Sequence, residues 1–350
     1  MADDKKAMLL SRLATAVELE LSTIPPYMVA ILSMKLSANR EAADLIRSVM
    51  IEEMLHLALV ANVTNAVGGS VRIGPNNIPS YPLKMTFEGH EFADRQFDVN
   101  LAPFSKDNVA IFMEIEEPQE TPRARALREK EIDIPELTIG EFYASIITLL
   151  GELDAENPGA LFTGDPAWQL HDDYYWSSGG GIIPVNDLAS AKAALDIVIT
   201  QGEGAWPAVR GTKAFNPAAP LKMGHYYRFS EVFYGRHYTV DDDPATPPTG
   251  APLPVDYTAV YPIKINPTSA DYANDPDLAK LNNAFNARYT MMLRQLEQAL
   301  SGTPKTLYTA IMNGMHGLTS VAIGMMSTPI KGDAAGRNGC PTFEWLIEPE

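Results

Sequence analysis

Two long amphipathic helices are predicted at the start of the chain, over about residues 6–36 and 40–67. Hydrophobic residues recur every three or four positions in both segments, as they do along a helix that buries one face. The pair Pro25-Pro26 interrupts the first segment, and we expect a kink there because proline lacks an amide donor and clashes with the preceding turn. A pair of glycines directly after the second segment is a natural helix stop.

The rest of the chain alternates irregular segments with shorter helical patterns. Residues 70–137 contain many prolines and short apolar runs, which predicts a few short strands in a long crossover between helices. Residues 241–276 are proline-rich and mostly extended, and residues 332–350 are expected to form a surface loop. Further helices are predicted at Thr138–Leu153, Asp187–Glu203, Lys222–Tyr234, Asp277–Leu300 and Thr306–Met326.

A carboxylate and an imidazole interrupt the apolar face of the second helix. Glu53 falls on the hydrophobic stripe, and His56 follows one turn later on the same side. Burying both groups is costly unless a partner compensates them, and a metal ion compensates both. The Glu-x-x-His spacing also occurs in carboxylate-bridged dimetal bundles. The alternative is that Glu53 only orients a partly exposed His56. Helical geometry also permits Glu52 to face the site, although the stripe favours Glu53.

Other acidic residues and one further histidine are candidate metal ligands. Glu20 lies on the stripe of the first helix, whereas Glu18 lies about 200° round that helix and should face water. Glu141 either caps the third helix from within its first turn or binds a metal. Glu203 ends the fourth helix, where the helix dipole disfavours an anion unless a cation is near. His225 is either a second histidine ligand or a structural residue.

Composition limits the class of protein. The chain has 350 residues, of which 46% are hydrophobic and 20% charged, so it can bury a substantial core. Its formal net charge of -17 argues against binding to nucleic acid or to an anionic membrane. The single cysteine, Cys340, excludes an intramolecular disulfide and a cysteine-rich zinc site. The start of the chain leads into a helix rather than an apolar signal segment, and no apolar run could span a bilayer, so we expect a cytoplasmic protein.

Several short stretches, taken in order, resemble the ferritin-like proteins grouped with the iminophenyl-pyruvate dimer synthases. That family includes the corresponding part of synthases that couple indole-pyruvate imines in violacein and bisindole biosynthesis. The resemblance extends over nearly the whole chain, and each stretch is weak alone but specific in this order. The stretches are Glu18–Tyr27, Glu52–Ala58, Ile139–Tyr143, Leu161–Pro166, Gln201–Gly204, His225–Phe229 and Pro341–Glu344.

The resemblance implies a ferritin-like, up-down helical bundle over residues 1–240, with the long insertion at about 70–137. Residues 241–350 would add the extended segment and a C-terminal helical hairpin to the same domain. The bundle of this family has a second Glu-x-x-His motif on its fourth helix. In this chain the matching residues, Glu203 and His225, lie on either side of a loop, so the resemblance is compatible with a site for one ion or for two. Carried over by position, the implied metal ligands are Glu20, Glu53, His56, Glu141, Glu203 and His225.

The resulting hypothesis is an oxidoreductase with a carboxylate- and histidine-bound metal, iron or another divalent ion. It would act on a small molecule, such as an aromatic imine in an oxidative coupling, and a homo-oligomer is compatible with the sequence. The alternatives are a non-catalytic metal-binding or storage protein and a metal-free scaffold. Four aromatic residues are candidate pocket walls, although core packing explains them equally well: Tyr27, Tyr226, Tyr227 and Trp176.

Overall fold

The computed structural model describes residues 2–84, 97–118, 139–174, 179–202 and 215–347, and it is mainly helical, as predicted. The helices are α1 (Ala2–Ser33), α2 (Leu36–Ala66), α3 (Lys106–Ile115), α4 (Ile139–Glu156), α5 (Leu188–Gln201), α6 (His225–Tyr234), α7 (Pro276–Leu300), α8 (Thr306–Thr309) and α9 (His316–Met326). A π-helical segment, Ala310–Met315, joins α8 to α9. Short 3-10 helices lie at Pro166–Trp168, Pro220–Lys222 and Ser269–Tyr272, and β1 (Leu83–Lys84) pairs antiparallel with β2 (Asp98–Val99).

Four helices form a closed ring around a shared core. Helix α1 packs against α2 and α4, and α5 completes the ring by packing on both α2 and α4. Helices α3 and α6 pack on each other, and α6 also contacts α2. The connection between α2 and α4 is therefore the long crossover that the sequence predicts, and it brings α3 to the bundle.

Helix α1 continues through both of its prolines. Pro26 cannot donate to the carbonyl of Ser22 four residues earlier, which would leave that acceptor without its helical partner. The Tyr81 hydroxyl donates to this carbonyl over 2.7 Å. A side chain from the segment after α2 thus replaces the missing bond, and the helix remains unbroken to Ser33.

The segment after α2 contains a helix that the hydrophobic pattern did not predict. The sequence predicts an irregular crossover at residues 109–113, but they lie in α3. The Ser105 side chain caps this helix by accepting a hydrogen bond from the Asn108 amide over 3.1 Å. Val109 and Phe112 are fully buried. The helix ends at Ile115, and its C-cap residue Glu116 is also buried, which matters for the site described below.

The C-terminal helices pack on the bundle and share its core. Helix α9 contacts α1, and α7 contacts α2. The prediction of a surface loop at residues 332–350 is wrong for part of that segment, because residues 338–343 are buried. Tyr272 fixes this stretch by donating to the Cys340 carbonyl over 2.7 Å and accepting from the Cys340 amide over 2.8 Å. In the described part of the chain, no helix has the length and apolar character needed to cross a membrane.

We predict that Ser105→Ala lowers the free energy of unfolding by about 1 kcal/mol, because the first turn of α3 loses its capping acceptor. Urea unfolding followed by circular dichroism measures the change. Ser105→Asp is the control, since it keeps an acceptor at the same position. Equal losses in the two variants would contradict a capping role for Ser105.

Candidate metal centre

Two groups of buried ligand-type side chains meet at Glu53. The first contains Glu20, Glu53 and His56, and the second contains Glu53, Glu116 and His225. Within each group the candidate ligand atoms lie within 4.8 Å of one another. Helices α1, α2 and α6 and the end of α3 supply these residues, and all of them are buried. The shared carboxylate makes the arrangement a double site with Glu53 in its centre.

Each of the three carboxylates has one oxygen fixed by a hydroxyl donor. Thr23 donates to Glu53 Oε2 over 2.6 Å. Tyr27 donates to Glu116 Oε1 over 2.7 Å, and the Tyr143 hydroxyl donates to Glu20 Oε1.

The second oxygen of each carboxylate faces an imidazole nitrogen. Glu20 Oε2 and Glu53 Oε1 each lie 3.4 Å from His56 Nδ1. Glu53 Oε1 also lies 3.0 Å from His225 Nδ1, and Glu116 Oε2 lies 3.3 Å from the same nitrogen. The hydroxyls therefore hold the outer oxygens, and the inner oxygens converge.

The hydrogen bonds of Gln201 determine which nitrogen of His56 carries the proton when the ring is neutral. Gln201 Nε2 donates to the carbonyl of Gly179 over 2.7 Å, which presents Gln201 Oε1 to His56 Nε2 at 3.0 Å. An amide oxygen can only accept, so His56 Nε2 must donate. The lone pair of the neutral ring is then on Nδ1, which faces Glu20 and Glu53.

His225 is oriented in the same way as His56, with Nε2 as the donor and Nδ1 towards the carboxylates. Its Nε2 lies 3.1 Å from Glu52 Oε2, and an ionised carboxylate accepts that N–H. Its Nδ1 is fully buried and makes no hydrogen bond to any of the described residues, although two carboxylate oxygens are near. The rings of His56 and His225 stack with centroids 5.4 Å apart and an interplanar angle of 21°. Both imidazoles thus turn Nδ1 towards the shared carboxylate.

The two adjacent glutamates of α2 have different partners. Glu53 belongs to both ligand groups, whereas Glu52 accepts from the Arg228 guanidinium and from His225 Nε2. Arg228 is fully buried and also donates to the Met223 carbonyl over 2.6 Å and to Ser48 Oγ over 2.8 Å. Glu52 therefore orients His225 from outside the centre. A carboxylate on the far nitrogen of a metal-binding histidine is the usual support for such a ligand.

The electrostatics of the centre favour a bound cation. Burial, followed by the charge of Glu53, raises the pKa of Glu20 to about 6. Burial opposes ionisation of Glu53, but its close contacts with the His225 and His56 imidazoles outweigh that effect and lower its pKa. Burial disfavours a charged His56, yet Glu20 and Glu53 raise its pKa to about 10. Without a metal, the carboxylates draw protons to the histidines. A cation can replace those protons.

The residues present fit a pair of metal ions. Each group offers two carboxylates and one imidazole. The Nδ1 atom of the imidazole and one oxygen of each carboxylate face inward, while Nε2 and the other carboxylate oxygen are already hydrogen-bonded. This donor set suits iron and other first-row divalent ions. His225 Nδ1 is a buried polar atom that makes no hydrogen bond within the described part of the chain, and a metal would supply a partner for its lone pair.

The structure brings four of the six predicted ligands together, namely Glu20, Glu53, His56 and His225. Glu141 is half-buried and belongs to neither group. Tyr143, which bonds Glu20, stands two residues later and hence about 200° round α4, so Glu141 lies on the other side of that helix. Glu203 lies outside the described residues.

The aromatic residues predicted as pocket walls lie in different parts of the structure. Tyr27 is at the centre as the donor to Glu116. Tyr227 is in a separate apolar cluster with Phe215 and Tyr238, and Tyr226 packs against that cluster. Trp176 lies outside the described residues.

Glu116 is the site residue that sequence reasoning missed. Val109, Phe112 and Glu116 follow the spacing of one helical face, and Ser105 is a good capping residue in front of them. This pattern could have indicated both α3 and a glutamate on its buried face. The helix is short and proline-rich segments flank it, so the pattern was not distinguished from the irregular crossover.

Comparison with known proteins agrees with this architecture. A family model described as ferritin-like matches residues 13–234, which is more than half of the chain. The protein therefore belongs to the ferritin-like family.

Two individual proteins are similar to this chain. Dichlorochromopyrrolate synthase from Lentzea aerocolonigenes is 25% identical over 330 residues, which cover 85% of this chain but 29% of the relative. The chain thus spans about three-tenths of the length of that relative. The crystal structure of a ferritin-like protein from Caulobacter vibrioides matches with a TM-score of 0.59 and 20% identity, over 95% of this chain and 97% of the other. This second likeness supports the fold.

We predict that the protein binds two divalent ions per chain and that single glutamine substitutions remove them in a fixed pattern. Glu20→Gln and Glu116→Gln should each lose one ion, because each removes a ligand of one group. Glu53→Gln should lose both, because Glu53 is shared. Metal analysis after anaerobic loading with Fe²⁺ and desalting measures the content.

Two matched variants serve as controls for these losses. Glu18→Gln changes an exposed glutamate on the same helix as Glu20 and should keep both ions. Glu141→Gln should also keep both, because Glu141 lies in neither group. Equal metal content in wild type and Glu53→Gln would rule out the double site.

We predict that Arg228→Met destabilises the metal-free protein by about 3–5 kcal/mol, because it leaves Glu52 buried without its compensating charge. Adding Glu52→Leu should recover most of that loss, since the uncompensated carboxylate is then removed. Urea unfolding of the two single variants and the double variant gives the coupling energy. Additive losses would show that the ion pair is not what stabilises this part of α2.

Proposed function

We propose that this protein is a metal-dependent oxidoreductase that binds two metal ions and that these ions are iron. The observation that supports this proposal is the position of Glu53, a buried carboxylate shared by two carboxylate–histidine groups. Ferritin-like bundles place a dimetal carboxylate centre among helices in this way. Glu20, Glu53 and His56 would hold one ion, and Glu53, Glu116 and His225 the other.

We extend the proposal to the oxidative coupling of small aromatic imines. The sequence stretches that resemble the iminophenyl-pyruvate dimer synthases support this substrate class, as does the name of the relative from Lentzea aerocolonigenes. Coupling forms one carbon–carbon bond between two substrate molecules and removes one hydrogen atom from each. One molecule of hydrogen peroxide takes up both hydrogen atoms and gives two molecules of water.

The side chains around the centre would prepare it for redox chemistry. Bound iron would supply one-electron transfer. Thr23, Tyr27 and Tyr143 keep the carboxylates in place as the charge at the centre changes. Ile139, Val198 and Ile199 line the small cavity beside the carboxylates. Their apolar side chains limit access of water, which strengthens the electrostatic interactions within the site.

The proposal is tested with protein loaded anaerobically with Fe²⁺. An L-amino-acid oxidase acting on an aromatic amino acid supplies both the imine and peroxide. We expect iron to saturate at two ions per chain and mass spectrometry to detect a product of twice the imine mass less two hydrogens. Glu53→Gln should lower the rate of product formation at least about tenfold, while Glu18→Gln should not change it.

Different results would reject different parts of the proposal, namely the catalytic role, the imine substrate or the metal centre as the active site. Loading of many irons per chain would indicate storage rather than catalysis. Two bound ions with peroxide consumption but no coupled product would reject the imine substrate and keep the oxidoreductase. Product formed equally by wild type and Glu53→Gln would reject the metal centre as the active site.

A further inference from the structure

A second cavity lies on another side of α1 and α2, away from the carboxylates. Leu21 and Ile24 of α1 and Leu57 of α2 form one wall. Helices α7, α8 and α9, the π-helical segment and Phe343 of the C-terminal stretch line the opposite side. None of the candidate metal ligands lines it. The family match ends at residue 234, so the C-terminal wall lies beyond the matched region.

Tyr289 is the one residue with a polar side chain among those that line this cavity. Its side chain is 3% exposed, and its hydroxyl makes no hydrogen bond to any residue that the structure describes. Leaving a buried hydroxyl without a partner is costly, so most such groups in folded proteins are paired. Burial raises the pKa of Tyr289, which keeps the hydroxyl protonated and able to donate.

Two unusual backbone features build the C-terminal wall. Phe343 has a φ of 53°, which is rare for a bulky side chain, and its ring packs edge-on against Tyr289 with centroids 5.2 Å apart. The wall also includes Ala310 and Met315 from the π-helical segment, a conformation often found at functional sites. A Cβ at Gly314 of that segment would lie 2.5 Å from Met292 Cγ, so the segment packs directly on α7. Strained conformations of this kind persist where the surrounding structure enforces them.

The cavity can take a small apolar molecule if its walls adjust. It has about 80 Å³ of free space, several times the roughly 10–15 Å³ that one water needs and about half the roughly 150 Å³ of an apolar protein cavity that binds benzene. Water would find a single polar partner here, whereas buried waters normally make about three hydrogen bonds. Four flexible methionines in the wall allow adjustment to the shape of a guest: Met28, Met54, Met292 and Met315.

We infer that this cavity binds a small apolar molecule, about one aromatic ring in size, that has one hydrogen-bond acceptor. The walls would enclose the apolar part, and the Tyr289 hydroxyl would donate to the acceptor. This site is separate from the metal centre and does not depend on the function proposed for that centre.

A matched pair of probes tests this inference on the purified full-length chain. Acetophenone has an aromatic ring and a carbonyl acceptor, and α-methylstyrene replaces that carbonyl with a carbon–carbon double bond. Calorimetry or ligand-observed NMR measures their affinities. We expect wild type to bind both probes. Tyr289→Phe should weaken acetophenone binding about fivefold, the value of one net hydrogen bond, and change α-methylstyrene binding less than about twofold.

A second variant fills the cavity. Ala310→Leu should abolish binding of both probes, and Ala287→Leu, on an exposed position of α7, should not affect binding. A third readout needs no ligand: because the hydroxyl has no partner among the residues that the structure describes, Tyr289→Phe should not lower the melting temperature.

Any of three results would overturn the inference. They are no binding of either probe to wild type at millimolar concentration, equal acetophenone affinity in wild type and Tyr289→Phe, and undiminished binding to a folded Ala310→Leu protein. If Ala310→Leu does not fold, the comparison between wild type and Tyr289→Phe decides alone.

Discussion

The burial of the Glu53 carboxylate between two imidazoles is the interaction around which the centre is arranged. An ionised carboxylate in a helical core has a large desolvation cost, so it requires partners on every side. Thr23 comes from α1, His56 from α2 itself and His225 from the first turn of α6. The need to surround one charge thus links three helices at one level of the bundle.

An outer set of hydrogen bonds orients the inner ligands. Hydroxyls hold one oxygen of each carboxylate, and acceptors hold the Nε2 atom of each histidine. Gln201 and Glu52 belong to this outer set, and each is fixed by a further partner, the Gly179 carbonyl for Gln201 and Arg228 for Glu52. Loops and helices far apart in sequence therefore determine the direction in which Nδ1 of each histidine faces. Such preorganisation lowers the cost of binding a metal in the same geometry.

The sequence was sufficient for the long helices and for candidate ligands on the first two. Glu20 and Glu53 fall on hydrophobic stripes and His56 follows Glu53 by one turn, which indicates that these groups could be buried together, although a partly exposed His56 oriented by Glu53 was the alternative. His225 begins a short amphipathic helix, and the residues alone left it as either a second histidine ligand or a structural residue. Its role depends on where a short helix docks, which is a tertiary property.

Two residues show where local patterns were insufficient. Glu116 was missed because α3 is a short helix within an irregular crossover, although its spacing from Phe112 was available. The sequence left Glu141 as either a helix cap or a metal ligand, but Tyr143 is the residue of α4 that contacts Glu20. Periodicity indicates that one face of a helix is buried, yet it does not show which neighbour that face meets.

Anomalous diffraction from crystals of the Fe²⁺-loaded protein, recorded at the iron edge, would locate the bound ions. We expect two iron peaks, one on each side of the Glu53 carboxylate, with His56 beside one and His225 beside the other. A single peak remote from Glu53, or no peak after loading, would contradict the double site. The shared carboxylate would then be a structural contact.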